Sequence, residues 1–361
     1  MEESVHINRI YIDKKYNFFE LFNPENGTLI RSNIFGTKKD PIKRSFPELI
    51  DIGIMGHCFA GRKGVCKNAG IDCYQNGPIV DNMNMTLDDY AWIINQCKDK
   101  VFQVALGGAG DPNKHTDFRE ILELTRKNNI VPNLTTSGLN ITENEIDLIK
   151  TYCGAIAVSY YSRLINGEES NKATIDVIRK FIKNDCKTNV HYVVSNETIS
   201  EAIYRLEKDY WPEGINAVIF LLYKPVGFGT KDKILKSGKQ LSKFLNLAVN
   251  KMHPYRVGFD TCFTTALLSV PSINLLSVDS CEASRFSMYI HSDLVATPCS
   301  FDNISRQYAY KLKPNTIREA WNSEIFSSFL KERDACSNCA KYEECLGGCG
   351  LNLGIDLCNW K

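Results

Sequence analysis

The sequence predicts an α/β fold, a partial (β/α)6 TIM-like barrel followed by a cysteine-rich C-terminal domain. Three observations carry that expectation. Six apolar, β-rich runs alternate with six amphipathic helical patterns between about residues 47 and 254, the alternation then stops, and the remaining stretch concentrates cysteines, turn formers and short segments. Alternating strands and helices imply parallel strands joined by right-handed crossovers, which curve a sheet towards a barrel or wind it doubly. Six units favour an incomplete barrel over a closed eight-stranded one.

In chain order, residues 1–46 read as a strand-rich N-terminal segment in which YNFFELF and TLIRSNIF flank the turn formers Asn23, Pro24, Asn26 and Gly27, as in a β-hairpin. Its separate pattern suggests a part in admitting or shielding substrate. Residues 47–254 form the barrel, with strands predicted at 50–56, 101–107, 130–136, 154–160, 188–195 and 217–224. Helices are predicted at 86–98, 117–128, 142–153, 173–185, 199–211 and 239–252, each with an apolar stripe of helical period. Thr142 and Glu145 have the spacing of a capping box, in which hydroxyl and carboxylate satisfy free amides at a helix start. Residues 255–361 have too little regular apolar pattern to fold alone convincingly, so metal ligation is the expected support.

Composition narrows the function. Of the 361 residues, 43 are Lys or Arg and 42 Asp or Glu, a net charge of +1, so no overall field marks a binder of nucleic acid or of membrane surfaces. The longest apolar run, Ala217 to Tyr223, is far short of the ~20 residues that span a bilayer, and MEESVHINRIYIDKK has no apolar signal core. The expectation is a soluble, cytoplasmic protein. A reducing compartment keeps the thiols of its fourteen cysteines free, and clustered thiols there usually ligate metal or do redox chemistry.

The first barrel strand runs into CFAGRKGVCKNAGIDCYQNG, which sets Cys58, Cys66 and Cys73 in a Cys-x7-Cys-x6-Cys loop at the strand's C-terminal end, where β/α barrels place their active sites. Three thiolates on a loop rich in glycine (Gly61, Gly64, Gly70, Gly77) suit a metal cluster with one open position, although spacing alone leaves a structural zinc loop equally open. The second strand leads into Gly107, Gly108, Ala109, Gly110, Asp111 and Pro112, a loop that brings bare backbone close to a ligand. At the other end of the chain, Cys336-x2-Cys339-x5-Cys345-x3-Cys349 and then Cys358 are too many for one metal site, and two interleaved sites account for them better. A zinc ribbon is the generic alternative.

Taken together, these motifs resemble the radical SAM superfamily over about residues 48–250. There a three-cysteine loop after the first strand holds a 4Fe-4S cluster, an aromatic residue follows the third cysteine (here Tyr74), and a glycine-rich segment after the second strand holds S-adenosylmethionine. The usual loop is Cys-x3-Cys-x2-Cys; here Gly70 stands where the middle cysteine would, and Cys66 is taken as the middle ligand. With Cys281 and Cys299, the rear cysteines resemble the seven-cysteine pattern of the SPASM domain, which binds auxiliary iron-sulfur clusters. Leu294 occupies a turn position where that family usually has glycine.

The resemblance implies one auxiliary cluster on Cys336, Cys339, Cys345 and Cys358 and another on Cys281, Cys299 and Cys349, with Cys262 as the candidate fourth ligand. Cys97, Cys153 and Cys186 remain and read as small buried hydrophobes. By position in the resemblance, Gly107, Gly108, Ala109, Gly110, Ser137, Ser159, Ser195 and Asn196 contact the cofactor, though hydroxyl and amide residues also commonly cap strand ends. Asp260, Asp293 and Asp302 are candidates for the group that takes a proton from the substrate radical. His57, His191 and His253 lack ligand spacing and read as structural.

The implied activity is reductive cleavage of S-adenosylmethionine to a 5'-deoxyadenosyl radical, followed by modification of a peptide or protein. A thioether or carbon-carbon crosslink in a ribosomal peptide is favoured, with flavodoxin or ferredoxin as electron donor. A formylglycine-forming maturase is an enzymatic alternative, although Cys299 is followed by Ser300 and not by the acid expected there. A non-catalytic zinc-binding adaptor is the alternative of another class.

Overall fold

The computed structural model describes residues 8–34, 41–68, 70–331, 336 and 338–358. It opens with three antiparallel strands, β1 (Arg9–Asp13), β2 (Phe18–Phe22) and β3 (Leu29–Asn33), one more than the expected hairpin. Phe22 stacks on Phe102 at 5.0 Å between ring centroids and Phe18 meets Phe286 edge-on at 6.2 Å, which pins this small sheet to the main body. Glu20 and Arg44, both fully buried, pair at 2.9 Å in the same interface. The β2–β3 turn is fastened by Lys187, whose Nζ donates to the Asn26 carbonyl at 3.1 Å.

The barrel follows: β4 (Leu49–Met55), two short helices α1 (Phe59–Arg62) and α2 (Val65–Asn68), α3 (Leu87–Cys97), β5 (Gln103–Gly108), α4 (Phe118–Lys127), β6 (Val131–Thr136), α5 (Glu143–Tyr152) and β7 (Ile156–Ser159). A two-stranded excursion, β8 (Leu164–Ile165) and β9 (Glu168–Glu169), precedes α6 (Lys172–Lys183), β10 (Thr188–Val194), α7 (Ile199–Lys208), β11 (Ala217–Leu222) and α8 (Lys239–Asn250). The chain continues through β12 (Arg256–Phe259), α9 (Thr264–Leu267), β13 (Ser287–Ile290), β14 (Val295–Thr297), β15 (Tyr310–Lys311), α10 (Ile317–Trp321), α11 (Glu324–Lys331) and α12 (Tyr342–Cys345).

One ten-stranded sheet runs β12-β11-β10-β7-β6-β5-β4-β13-β14-β15. The six strands expected from sequence are its parallel core, and β12 and β13 extend it in parallel on opposite sides, so the sheet crosses the sequence boundary at residue 254. Alternation explains the layering. In β4, Ile50, Ile52 and Ile54 are fully buried in the main core, which leaves Asp51 and Gly53 on the opposite, inner face. Helices close the outer layer because their apolar residues recur at helical spacing, as Tyr90, Ile93, Ile94 and Cys97 do in α3. The expected capping box forms at Thr142 and Glu145.

The inner face is polar towards the strands' N-terminal end. There Gln103, Asn133, Asn189 and His191 line a cavity of about 300 Å³ that the Pro24–Gly27 turn of the N-terminal sheet borders. That turn therefore lies at the mouth opposite the cysteine loop. Cys97 and Cys186 are buried, and Cys153 packs against the core, as expected of cysteines outside the metal-binding patterns.

Candidate functional site

Cys58 ends β4's run and caps α1, its Sγ accepting from the Gly61 amide at 3.1 Å. Cys66 lies buried in α2, and the Cys73 Sγ accepts from the Gly77 amide at 3.2 Å. Burial pushes the Cys66 thiol up to about 11, reinforced by the neighbouring Cys73 and Cys58 and opposed by a hydrogen bond from Tyr161, so all three thiols bear on one place. Gly70 has φ +71° and open space where a side chain would stand. A cysteine there would be strained and would point away, which gives a physical reason for the displaced middle position.

The glycine-rich loop lies directly against these thiols. A Cβ at Gly110 would come within 2.4 Å of the His57 carbonyl and 3.2 Å of Cys58 Cα, and one at Gly108 (φ +123°) would meet Met55 backbone at 2.4 Å. The Ala109 amide donates to the Met55 carbonyl at 2.9 Å, while Gly107 has open space beside it. Asp111, absent from the expected site residues, accepts from the Ser137 amide at 2.7 Å and its hydroxyl at 2.5 Å, tying this loop to the end of β6. Its signal was the carboxylate immediately after four loop residues with little or no side chain.

The other expected contacts vary. Ser159 ends β7, and its carbonyl accepts from the Tyr161 amide at 3.0 Å, beneath the ring that reaches Cys66. Ser195 is buried, with its hydroxyl engaged by the Glu197 amide in the turn that starts α7. Asn196 is exposed and donates to the Asp232 carbonyl at 3.3 Å. Tyr74 packs on Phe301 at 4.6 Å, and its carbonyl accepts from Asn303 at 2.7 Å, so the front loop touches the segment carrying Cys299. Asp72 of the same loop pairs with Lys233 at 2.9 Å and accepts from Tyr223, and the Phe228 amide donates to the Cys73 carbonyl. The segment after β11 thereby closes over the thiols.

The rear cysteines gather in two places. Cys262, Cys281, Cys299 and Cys349 line one largely apolar cavity, and Cys336, Cys339, Cys345 and Cys358 line a second, with Cys345 bordering both. Burial pushes Cys345 up to about 11 and raises Cys262, Cys299 and Cys349, so a deprotonated thiol here needs a positive partner. Among the described residues, no three His, Cys, Asp or Glu side chains converge tightly enough to grip a single ion. Thiolates around a polynuclear cluster sit on separate irons and stand further apart, so facing thiols across a cavity fit such a cluster.

The three candidate carboxylates differ. Asp302 is fully buried and spent on its own loop, accepting from Ser305, Gln307 and Tyr308. Asp293 pairs with Arg306 at 2.6 Å. Asp260 pairs with Lys224 and accepts from the Leu222 amide through Oδ2, while its buried Oδ1 has no hydrogen-bond partner. Sequence reading also passed over Asp51, whose carboxyl is pushed up to about 7 by burial and by Glu282. Of the histidines, His253 is bound by Asp209 and the Leu247 carbonyl, a structural role.

These elements define the class by fold: a partial α/β barrel of the kind found in radical SAM enzymes, with a cysteine-rich C-terminal region. No family model and no curated protein matches the chain. Among solved structures, it is similar to Streptococcus suis SuiB bound to S-adenosylmethionine, with a TM-score of 0.66 and 15 % identity over 95 % of this chain and 94 % of that one. SuiB bound to the precursor peptide SuiA matches with a TM-score of 0.66 and 14 % identity over 95 % of each chain. Native anSMEcpe with bound AdoMet matches with a TM-score of 0.56 and 18 % identity over 87 % of this chain and 91 % of that one. At such identities the likeness is one of fold. No helix among the described residues is long and apolar enough to cross a membrane.

Proposed function

We propose that the chain is a radical SAM enzyme whose C-terminal region, residues 255–361, holds two auxiliary iron-sulfur clusters and whose substrate is a peptide or protein. One observation carries this reading: three thiols and a glycine-rich loop meet at the C-terminal end of a parallel barrel, and two cysteine-lined cavities lie behind them. Cys58, Cys66 and Cys73 would hold the cluster that supplies an electron to the sulfonium of S-adenosylmethionine and so releases a carbon radical.

The chain's own residues do the rest. Gly108 and Gly110 keep the loop backbone close to the thiols, and Asp111 fixes Ser137 beside them. Tyr74, Gly107 and Ala109 complete the cofactor's surroundings, with Ser159, Ser195 and Asn196 at neighbouring strand ends. Asp260 and Asp293 each keep a buried Oδ1 without a hydrogen-bond partner, whereas Asp302 is spent on its own loop, so those two are the candidates to accept a proton. SuiB bound to its precursor peptide supports a peptide substrate. We further take the reaction to be a thioether or carbon-carbon crosslink, the electron donor a flavodoxin or ferredoxin, and the setting cytoplasmic.

Anaerobic reconstitution followed by metal analysis tests the proposal. About twelve irons per chain fits three cubane clusters on cysteine, and reduction with S-adenosylmethionine should then yield 5'-deoxyadenosine. Two or three zincs and no nucleoside product would overturn it.

A further inference from the structure

Lys224 is the one basic side chain lining the cavity of Cys262, Cys281, Cys299 and Cys349 among its described residues, and it is only 8 % exposed. Its ammonium pairs with Asp260 and lies 4.6 Å from the centroid of the Phe301 ring, which itself packs on Tyr74 of the front loop at 4.6 Å. Lys224 borders the cavity, and its counter-ion Asp260 stands two residues before Cys262. Cation–π contact and ion pairing leave the lysine little freedom to swing away.

We infer that Lys224 sets the redox balance of the group held in this cavity, by presenting to it a fixed positive charge that Asp260 partly offsets. Coulomb's law gives the direction. An electron added to a group ringed by thiolates is stabilised by a nearby buried cation, and a dry, apolar lining does little to screen it. The device favours acceptance of an electron at this site. It gives a buried Lys–Asp pair, which stability alone would not require, a chemical purpose. The inference rests on the proposed auxiliary cluster at these four cysteines.

The test is a potentiometric titration, followed by paramagnetic resonance, of the full-length reconstituted protein carrying Cys58→Ala, Cys66→Ala and Cys73→Ala so that only auxiliary signals remain. Adding Lys224→Met should lower one auxiliary midpoint by at least a tenfold change in the equilibrium, 59 mV for one electron. Lys224→Arg should restore it, and Asp260→Asn should shift it the other way. A merely structural role predicts loss of iron in all three variants without opposed shifts. If auxiliary clusters form at full iron content and neither midpoint moves in Lys224→Met or Asp260→Asn, the inference fails while the proposed function stands. If the parent protein holds no auxiliary cluster, the proposed function itself fails. Should Lys224→Met lose its iron, Lys224→Gln and Asp260→Asn decide by the same criterion.

Discussion

Cys58, Cys66 and Cys73 hang from the end of β4, whose Ile50, Ile52 and Ile54 are fully buried, and are held down by the loops after β5 and β11. Cys336, Cys339, Cys345 and Cys358 instead belong to a stretch whose regular structure, among the described residues, is the four-residue α12 and whose buried apolar side chains include Ile355 and Leu357. Both regions gather thiols, but one is mounted on a barrel that folds around its own core and the other has little core. Under the proposed function, similar ligands would serve different ends: at the front, metal would add chemistry to an existing scaffold, while at the back it would supply part of the scaffold.

The largest expected effect separates the two regions. Replacing Cys58 or Cys73 by Ala should abolish 5'-deoxyadenosine formation while circular dichroism and melting temperature stay near those of the parent. Replacing Cys345 or Cys358 should leave some uncoupled cofactor cleavage and no modified peptide, and hydrogen exchange should show lost protection confined to the region after about residue 330. Equal destabilisation by both sets would break the comparison.

A smaller effect is expected at the glycine loop. Gly110→Ala sets a methyl 2.4 Å from the His57 carbonyl, and backbone must shift to relieve it. Affinity for S-adenosylmethionine should fall on the order of tenfold, about 1.4 kcal/mol, with the iron content unchanged. Unaltered affinity by calorimetry would show that this loop does not meet the cofactor.

The smallest effect concerns pH. Asp51, on the inner face of β4, has its carboxyl raised from 3.8 to about 7 by burial, with Glu282 adding to it. A raised folded-state value means that its contribution is fully present below the unfolded value and is lost as pH rises through 7. Asp51→Asn removes that loss, so its melting temperature relative to the parent should climb from pH 4 to about 7 and then level off. A difference that does not vary with pH would place Asp51 in contact with water.

The barrel was legible because its signals are local. Runs of Val, Ile and Leu end at glycine or polar residues, and helices such as Glu143–Tyr152 announce themselves by cap and stripe. What escaped depends on distant partners. The four residues of β12, partly exposed, become a strand by pairing with β11, and β13 by pairing with β4 across more than two hundred residues. In the candidate site the cysteines were visible by spacing, while Asp111 and Tyr161 were not, since nothing local says that they approach a thiol. Leu294 shows both sides: its odd identity at a turn was visible, and its φ of 61° shows why glycine would suit the position.

The most direct measurement is made on Cys66→Ala, at the residue where spacing and structure had to be reconciled. Cys66 is buried, and its thiol is raised by burial and by the neighbouring Cys73 and Cys58. The variant, reconstituted anaerobically and reduced, should lose about four irons relative to the parent and form no 5'-deoxyadenosine, with its melting temperature little changed. A Cys66→Ala protein that keeps its full iron content and cleaves S-adenosylmethionine at the parent rate would contradict the account of the front site.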